Sequence, residues 1–287
     1  MTLRRFFFGL GLVFMVQASA FPTVTRKSFQ TGDGVTLSVL DAGQSKTRGG
    51  AITIVFVPGW SMPAEIWRRQ LEYLGQRYHT LAFDPRGQGE SDVPLKGYTA
   101  ERRATDLKDF LNSFSKVLLV GWSLGAIEAL QYVHMFGAQR LAGLVLVDSS
   151  VGEEPAPKGN SAFLQGLRKD RDKSLDAFVR AIFKRPRNDE EIAALVKGAK
   201  RMSLENSIAL LSYQFPRTHW KQIAHAYKKP LRYVVTPQFA EQARNLQKNR
   251  KETEVEIFPD AGHALFVDEP ERFNASIEKF AEKLSGR

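Results

Sequence analysis

The 287-residue sequence predicts an α/β fold: a mostly parallel central sheet with helices on both faces. Three observations predict it. From residue 51 onward, short apolar runs alternate with amphipathic helical stretches, the signature of strands joined by crossover helices. The runs are almost continuously Val, Ile, Leu and Phe, as strands covered on both faces require. The stretch Gly121-Trp122-Ser123-Leu124-Gly125 then sits where one such run, Val117 to Val120, meets a helix-like segment, Ala126 to Phe136.

The elements follow in order. Lys27 to Gln30 and Val35 to Leu40 flank Thr31-Gly32-Asp33-Gly34 and read as an antiparallel hairpin at the sheet edge, followed by a polar surface loop over Asp41 to Gly50. Buried strands are expected at Ile52 to Val57, Thr80 to Phe83, Val117 to Val120, Leu144 to Val147, Leu231 to Val235 and Val255 to Phe258. Helices are expected around Ala64 to Leu74, Thr99 to Phe114, Leu124 to Phe136, Phe239 to Lys248 and Pro270 to Leu284. From about Glu153 to Lys229 the alternation stops, and only helical patterns remain: Leu164 to Lys184, Asp189 to Met202 and Leu204 to Tyr213. This interval begins just after the strand ending at Asp148, so it is expected to form a cap over the carboxyl ends of the strands, where open α/β sheets bind ligands. Phe163, Leu167, Phe178, Phe183, Leu211, Tyr213, Phe215 and Trp220 either line its inner face or form its own core.

The G-x-S-x-G element in its strand-to-helix setting is a nucleophile elbow. The serine at such a turn takes strained backbone angles, so both neighbours two positions away must be small, which Gly121 and Gly125 satisfy. Ser123 would stand clear of the sheet edge, with the Leu124 amide aimed at the same space from a helix N-terminus, joining an attacking group to an anion-stabilising donor. A serine hydroxyl needs a base. Of the five histidines, His263 lies after the last strand and before the last helix, in Pro259-Asp260-Ala261-Gly262-His263-Ala264, and would emerge at the same edge. His79, His134, His219 and His225 have no comparable setting and read as structural.

The first twenty residues carry Arg4-Arg5, an apolar run from Phe6 to Val16 and the small-x-small triplet Ala18-Ser19-Ala20. They read as a signal peptide (1-20) cleaved near Ala20, giving a periplasmic or secreted mature chain over 21-287; an uncleaved leader serving as a membrane anchor is the alternative. With no cysteine, disulfides, thiol catalysis and thiolate metal sites are excluded. The chain carries a formal charge of +10. Between Lys158 and Lys229 sixteen Lys/Arg face seven Asp/Glu, so weak association of a basic cap with anionic surfaces is one reading and a merely solvated face the other.

From about residue 26 to 284 the chain resembles the α/β-hydrolase superfamily, in its esterase and cofactor-free haloperoxidase branch. The likeness rests on Phe56-Val57-Pro58-Gly59-Trp60-Ser61, Phe83-Asp84-Pro85-Arg86-Gly87-Gln88-Gly89-Glu90-Ser91, the serine elbow, and Asp260-Ala261-Gly262-His263-Ala264-Leu265-Phe266. The resemblance implies an α/β-hydrolase fold and a second oxyanion-hole amide from Trp60, whose indole could also enter the acyl pocket; here Pro58 stands where relatives usually carry histidine. It implies structural roles for Asp84, Arg86 and Ser91. The commonest position for a triad acid, after the penultimate strand, holds Thr236-Pro237-Gln238-Phe239 with no aspartate. A less common arrangement in the superfamily puts the acid one strand earlier, where Asp148 stands. Glu153, Glu154 and Glu241 remain fallbacks, as does Asp260, which more naturally braces the His263 loop.

The expectation is therefore an exported serine hydrolase cleaving carboxylic esters through Ser123, His263 and Asp148, with Trp60 and Leu124 as oxyanion donors. Its partner would be a small ester or acyl substrate, with no cofactor, no metal and no nucleic acid. Perhydrolase or haloperoxidase-like, thioesterase and acyltransferase activities could use the same residues. A ligand-binding protein on a catalytically dead hydrolase fold is the reading from another class.

Overall fold

A computed structural model describes residues 22–43, 52–212 and 215–286. The leader, most of the polar loop after Asp41, and Tyr213 lie outside the described residues. Eight strands form one sheet: β1 (Thr25–Gln30), β2 (Thr36–Ala42), β3 (Thr53–Val57), β4 (His79–Phe83), β5 (Val117–Trp122), β6 (Leu141–Val147), β7 (Leu231–Val235) and β8 (Glu254–Ile257), in the order β1-β2-β4-β3-β5-β6-β7-β8. The β1/β2 and β2/β4 pairs are antiparallel and the rest are parallel. The helices are α1 (Arg68–Leu74), α2 (Ala100–Leu111), α3 (Leu124–Phe136), α4 (Ser161–Lys169), α5 (Arg171–Ala181), α6 (Asp189–Ala199), α7 (Leu204–Leu211), α8 (Arg217–Ala226), α9 (Ala240–Asn249), α10 (Leu265–Asp268) and α11 (Pro270–Ser285). None among the described residues is long and apolar enough to cross a membrane.

β3 and β5 are buried along their whole length, which is why they carry unbroken apolar runs. Register decides what meets at the carboxyl edge. Trp122 at the end of β5 pairs with Val147 at the end of β6, and the Ser123 amide donates to the Val147 carbonyl at 2.9 Å. Ser123 and Asp148 therefore leave adjacent strands at the same level. The Asp148 amide in turn donates to Val234 of β7 at 2.8 Å, so the next strand is in step as well.

The structure departs from the expected boundaries in two instructive places. The expected helix over Leu164 to Lys184 is two helices, α4 and α5, because Asp170 is extended (φ −153°, ψ 93°) and its side chain accepts the Lys173 amide at 3.0 Å, capping a new helix. Asp41, expected to open a surface loop, belongs to β2 and is buried, where its carboxylate is held by Lys27 at 2.6 Å and His79 at 3.0 Å. Burial opposes ionisation of Asp41, but the hydrogen bonds and charges of His79 and Lys27 outweigh it and lower its pKa.

Among the described residues the helices between β6 and β7, α4 to α8, lie in the interval expected to form the cap. Leu167, Leu175, Val179 and Ile192 are buried in it, so much of its helical apolar stripe serves its own core.

Candidate active site

Ser123 has φ 54° and ψ −118°, a conformation that L-residues rarely adopt. The surrounding glycines show what holds it there. A Cβ on Gly121 would lie 2.4 Å from the Gly125 carbonyl oxygen, and one on Gly125 would lie 2.5 Å from that of Val57. The turn closes only because neither side chain exists. A Cβ on Gly59 would come within 3.1 Å of Ser123 Cβ, so the Pro58–Trp60 loop passes directly against the serine. Leu124 opens α3 directly after the serine, so its amide stands at a helix N-terminus, the kind of donor a developing oxyanion needs.

His263 is fixed from several sides. Its ring packs against Trp122, the residue before the serine, with centroids 5.2 Å apart, and its carbonyl accepts the Trp122 indole N–H at 2.8 Å. Downstream, Phe266 stacks on Trp67 at 3.7 Å, and its carbonyl accepts Gln70 Nε2 at 2.9 Å, anchoring the loop in the core. His263 Nδ1 lies 2.7 Å from Asp148 Oδ2. Asp148 is fully buried, while the imidazole is a quarter exposed. The other Asp148 oxygen, Oδ1, accepts the Thr236 amide at 2.6 Å, so both carboxylate oxygens have a partner. The 2.7 Å contact suits the tautomer in which Nδ1–H donates to Asp148 and Nε2 faces away from the carboxylate.

The other carboxylates considered lie elsewhere. Glu153 binds Lys221 at 3.0 Å and pairs with His225, Glu154 binds Arg217 at 3.1 Å, and Glu241 and Asp260 are exposed. Asp260, expected to brace the His263 loop, is exposed, and its side chain has no hydrogen bond among the described residues. That work falls to Asp268, whose Oδ2 accepts the Gly262 amide at 2.8 Å. The remaining histidines have structural partners: His79 with Asp41, His219 with Gln131 at 2.9 Å, and His134 packed edge-on against His219.

The Trp60 indole is committed to the cap. It donates to the Ser207 carbonyl of α7 at 2.8 Å and meets Phe163 and Phe178 edge-on at 5.5 and 5.2 Å. It thus pins α7 to the Pro58–Trp60 loop. Asp84, Arg86 and Ser91 build the loop after β4: Asp84 Oδ1 accepts the Ala64 amide, Arg86 grips Asp106 with two bonds of 2.6 Å, and Ser91 Oγ takes the Ser38 amide at 2.8 Å. Burial raises the Asp84 pKa despite the Glu90 and Ala64 amides that it accepts. Gln88 in the same loop carries no signal of its own in the sequence, yet its Nε2 donates to the Gly59 carbonyl at 3.0 Å and the Met62 carbonyl at 2.8 Å, holding the Gly59–Met62 turn. Its membership in the Asp84–Ser91 motif was the signal; its aim was not readable. Among the described residues no group of His, Asp and Glu gathers closely enough to hold a metal ion.

Residues 54–276 match the sequence model of the alpha/beta hydrolase family. The chain belongs to that family. The AB hydrolase superfamily protein YisY of Bacillus subtilis is 24% identical over 277 residues, covering 88% of this chain and 97% of YisY. Among solved structures, an esterase from Rhodococcus sp. ECU1013 superposes with a TM-score of 0.78 at 21% identity, covering 90% of this chain and 99% of that one. A bromoperoxidase from Bacillus anthracis gives 0.79 at 18% identity, covering 90% and 100%. In this alpha/beta hydrolase the eight-stranded, mostly parallel sheet with its flanking helices corresponds to the architecture expected from sequence.

Proposed function

We propose that this protein is a serine hydrolase acting on carboxylic esters. The observation that carries the reading is the His263 Nδ1 to Asp148 Oδ2 contact of 2.7 Å at the edge where Ser123 stands in its strained turn. In this reading His263 Nε2 takes the Ser123 proton as Oγ attacks the acyl carbon, and the Trp60 and Leu124 amides stabilise the oxyanion. The imidazolium then protonates the departing alkoxide, leaving an acyl-serine. Water, deprotonated by the same nitrogen, attacks that ester and releases the acid and free Ser123. Asp148 holds the tautomer and stabilises the imidazolium.

The surroundings support an apolar substrate group. A cavity of 220 Å³ that touches the elbow at Leu124 is walled by Ile127, Leu210, Phe215 and Trp220 on its apolar side and by Thr99, Glu101, Glu128 and Ser212 on its polar side. The leader motif supports export as part of the same proposal, and fractionation of chains with and without residues 1–20 tests it.

Labelling with a fluorophosphonate tests the chemistry: wild type should label and Ser123→Ala should not. Purified protein should also turn over p-nitrophenyl esters. Folded wild type that neither labels nor cleaves any ester of the panel would overturn the proposal and favour a binding role. Thioesters, and peroxide as acyl acceptor, belong in the same panel because they share the acyl-enzyme step.

A further inference from the structure

We infer that Asp268 is a positioning residue that registers His263 against the cap, so that the base reaches its full alignment when the cap segment 182–187 is docked. The inference rests on the reading of His263 as the general base. Asp268 ends α10, five residues after His263, and its side chain is wholly buried. One oxygen, Oδ2, accepts two amides at 2.8 Å each: Gly262, immediately before the histidine, and Lys184, in the cap between α5 and α6. The other, Oδ1, accepts the Arg185 amide at 3.2 Å and has Arg187 Nη2 at 3.7 Å.

The contacts continue on both sides of the histidine. The Ala264 amide donates to the Ile182 carbonyl at 2.7 Å, and Arg187 Nη2 donates to the Val267 carbonyl at 2.9 Å. A Cβ on Gly262 would lie 2.6 Å from the Lys184 nitrogen and 2.8 Å from the Ile182 oxygen, so the two backbones are in direct contact. The residues flanking His263 thus hydrogen-bond into one seam, Gly262 through Asp268 and Ala264 through the cap backbone. A buried carboxylate receiving three backbone amides and facing a guanidinium is a strong charge-assisted clasp. Removing it would leave those amides without the acceptor that ties the two segments together. Base geometry tolerates little slack, since a misplacement of about 1 Å can cost about a hundredfold in rate.

The test uses Asp268→Asn and Arg187→Ala in the full-length protein, with kcat normalised to fluorophosphonate-titrated sites. Hydrogen–deuterium exchange is read over 182–187 and 261–264. Asp268→Asn should lower kcat per titrated site by about tenfold or more, with KM within about threefold, and should speed exchange in both segments together. Arg187→Ala changes only the cap side, and should still speed exchange at 261–264 and lower kcat several-fold. If Asp268→Asn does not fold, Arg187→Ala alone decides. Unchanged protection of 261–264 in Arg187→Ala, or a titrated kcat of Asp268→Asn within about twofold of wild type, overturns the inference. Wild type without labelling or turnover would instead sink the hydrolase reading beneath it.

Discussion

The Thr236 backbone amide donates to Asp148 Oδ1 at 2.6 Å, so the strand end that lacks the usual acid supplies the hydrogen bond that orients the acid of the neighbouring strand. Phe239, at the position where an aspartate was looked for, is instead buried. The two strand ends divide one job: β6 provides the carboxylate and β7 the donor that aims it at His263.

Asp148→Asn should therefore leave the fold in place and remove the orientation of His263. An asparagine can accept from Thr236 through its oxygen, but then offers an N–H₂ to Nδ1 and favours the wrong tautomer. We expect kcat to fall by up to about 10⁴ with the far-ultraviolet spectrum unchanged. Steady-state kinetics on a short-chain p-nitrophenyl ester checks this, and Glu154→Gln and Glu241→Gln should stay near wild type.

Gly125→Ala places a methyl 2.5 Å from the Val57 oxygen and 2.7 Å from that of Pro58, both backbone atoms that cannot swing aside. α3 would have to lift from the end of β3, moving the Leu124 amide and the oxyanion loop apart. We expect a loss of about 1 to 3 kcal/mol of stability and a larger proportional loss of kcat. Urea unfolding and ester turnover measured on the same preparation separate the two effects.

Trp60→Phe keeps the backbone amide and an aromatic ring between Phe163 and Phe178, but strips the Ser207 carbonyl of its indole donor. Losing that bond should cost about 0.5 to 1.5 kcal/mol, seen as a lower Tm. Because the indole ties α7 to the oxyanion loop, limited proteolysis should cut the cap sooner in Trp60→Phe than in wild type. Equal cutting rates would mean that the bond does not restrain the cap.

Glu128, one turn beyond the elbow on α3, has its pKa raised to about 7 by burial, against the opposing pull of Arg103 2.9 Å away. A carboxyl whose folded pKa exceeds its unfolded value binds more protons when folded. Its contribution to stability therefore falls as pH rises from about 4.5 to about 7, then levels off. Replacing it by Gln removes this fall. The stability of wild type relative to Glu128→Gln should decline between pH 5 and pH 7.5, as chemical denaturation at a series of pH values would read. A difference independent of pH would contradict the raised pKa.

Much of the frame was legible because it depends on local rules. Apolar runs of strand length, a serine between two glycines at a strand-to-helix junction, and a histidine after the last strand each carry their own signal within a few residues. The α4/α5 break at Asp170 was harder to see: the apolar spacing runs on through it, and only the capping aspartate ends the first helix and starts the second. Gln88 and Asp268 were less legible still, since nothing in a side-chain amide or a lone aspartate says which distant backbone it will meet.

The sequence by itself determined the alternation of strand and helix, the strained serine turn, the cap interval and the side chains available for catalysis, because these follow from periodicity and backbone sterics acting over short stretches. Only the tertiary structure decided that Asp148 rather than Glu153, Glu154, Glu241 or Asp260 meets His263, that the Trp60 indole serves the cap, and that Asp268 joins the cap to the histidine loop. Those choices depend on strand register and on contacts spanning 115 and 147 residues of chain for Asp148–His263 and Trp60–Ser207. A hydrogen bond of that range is set by how the sheet stacks its edges, and no local pattern encodes it.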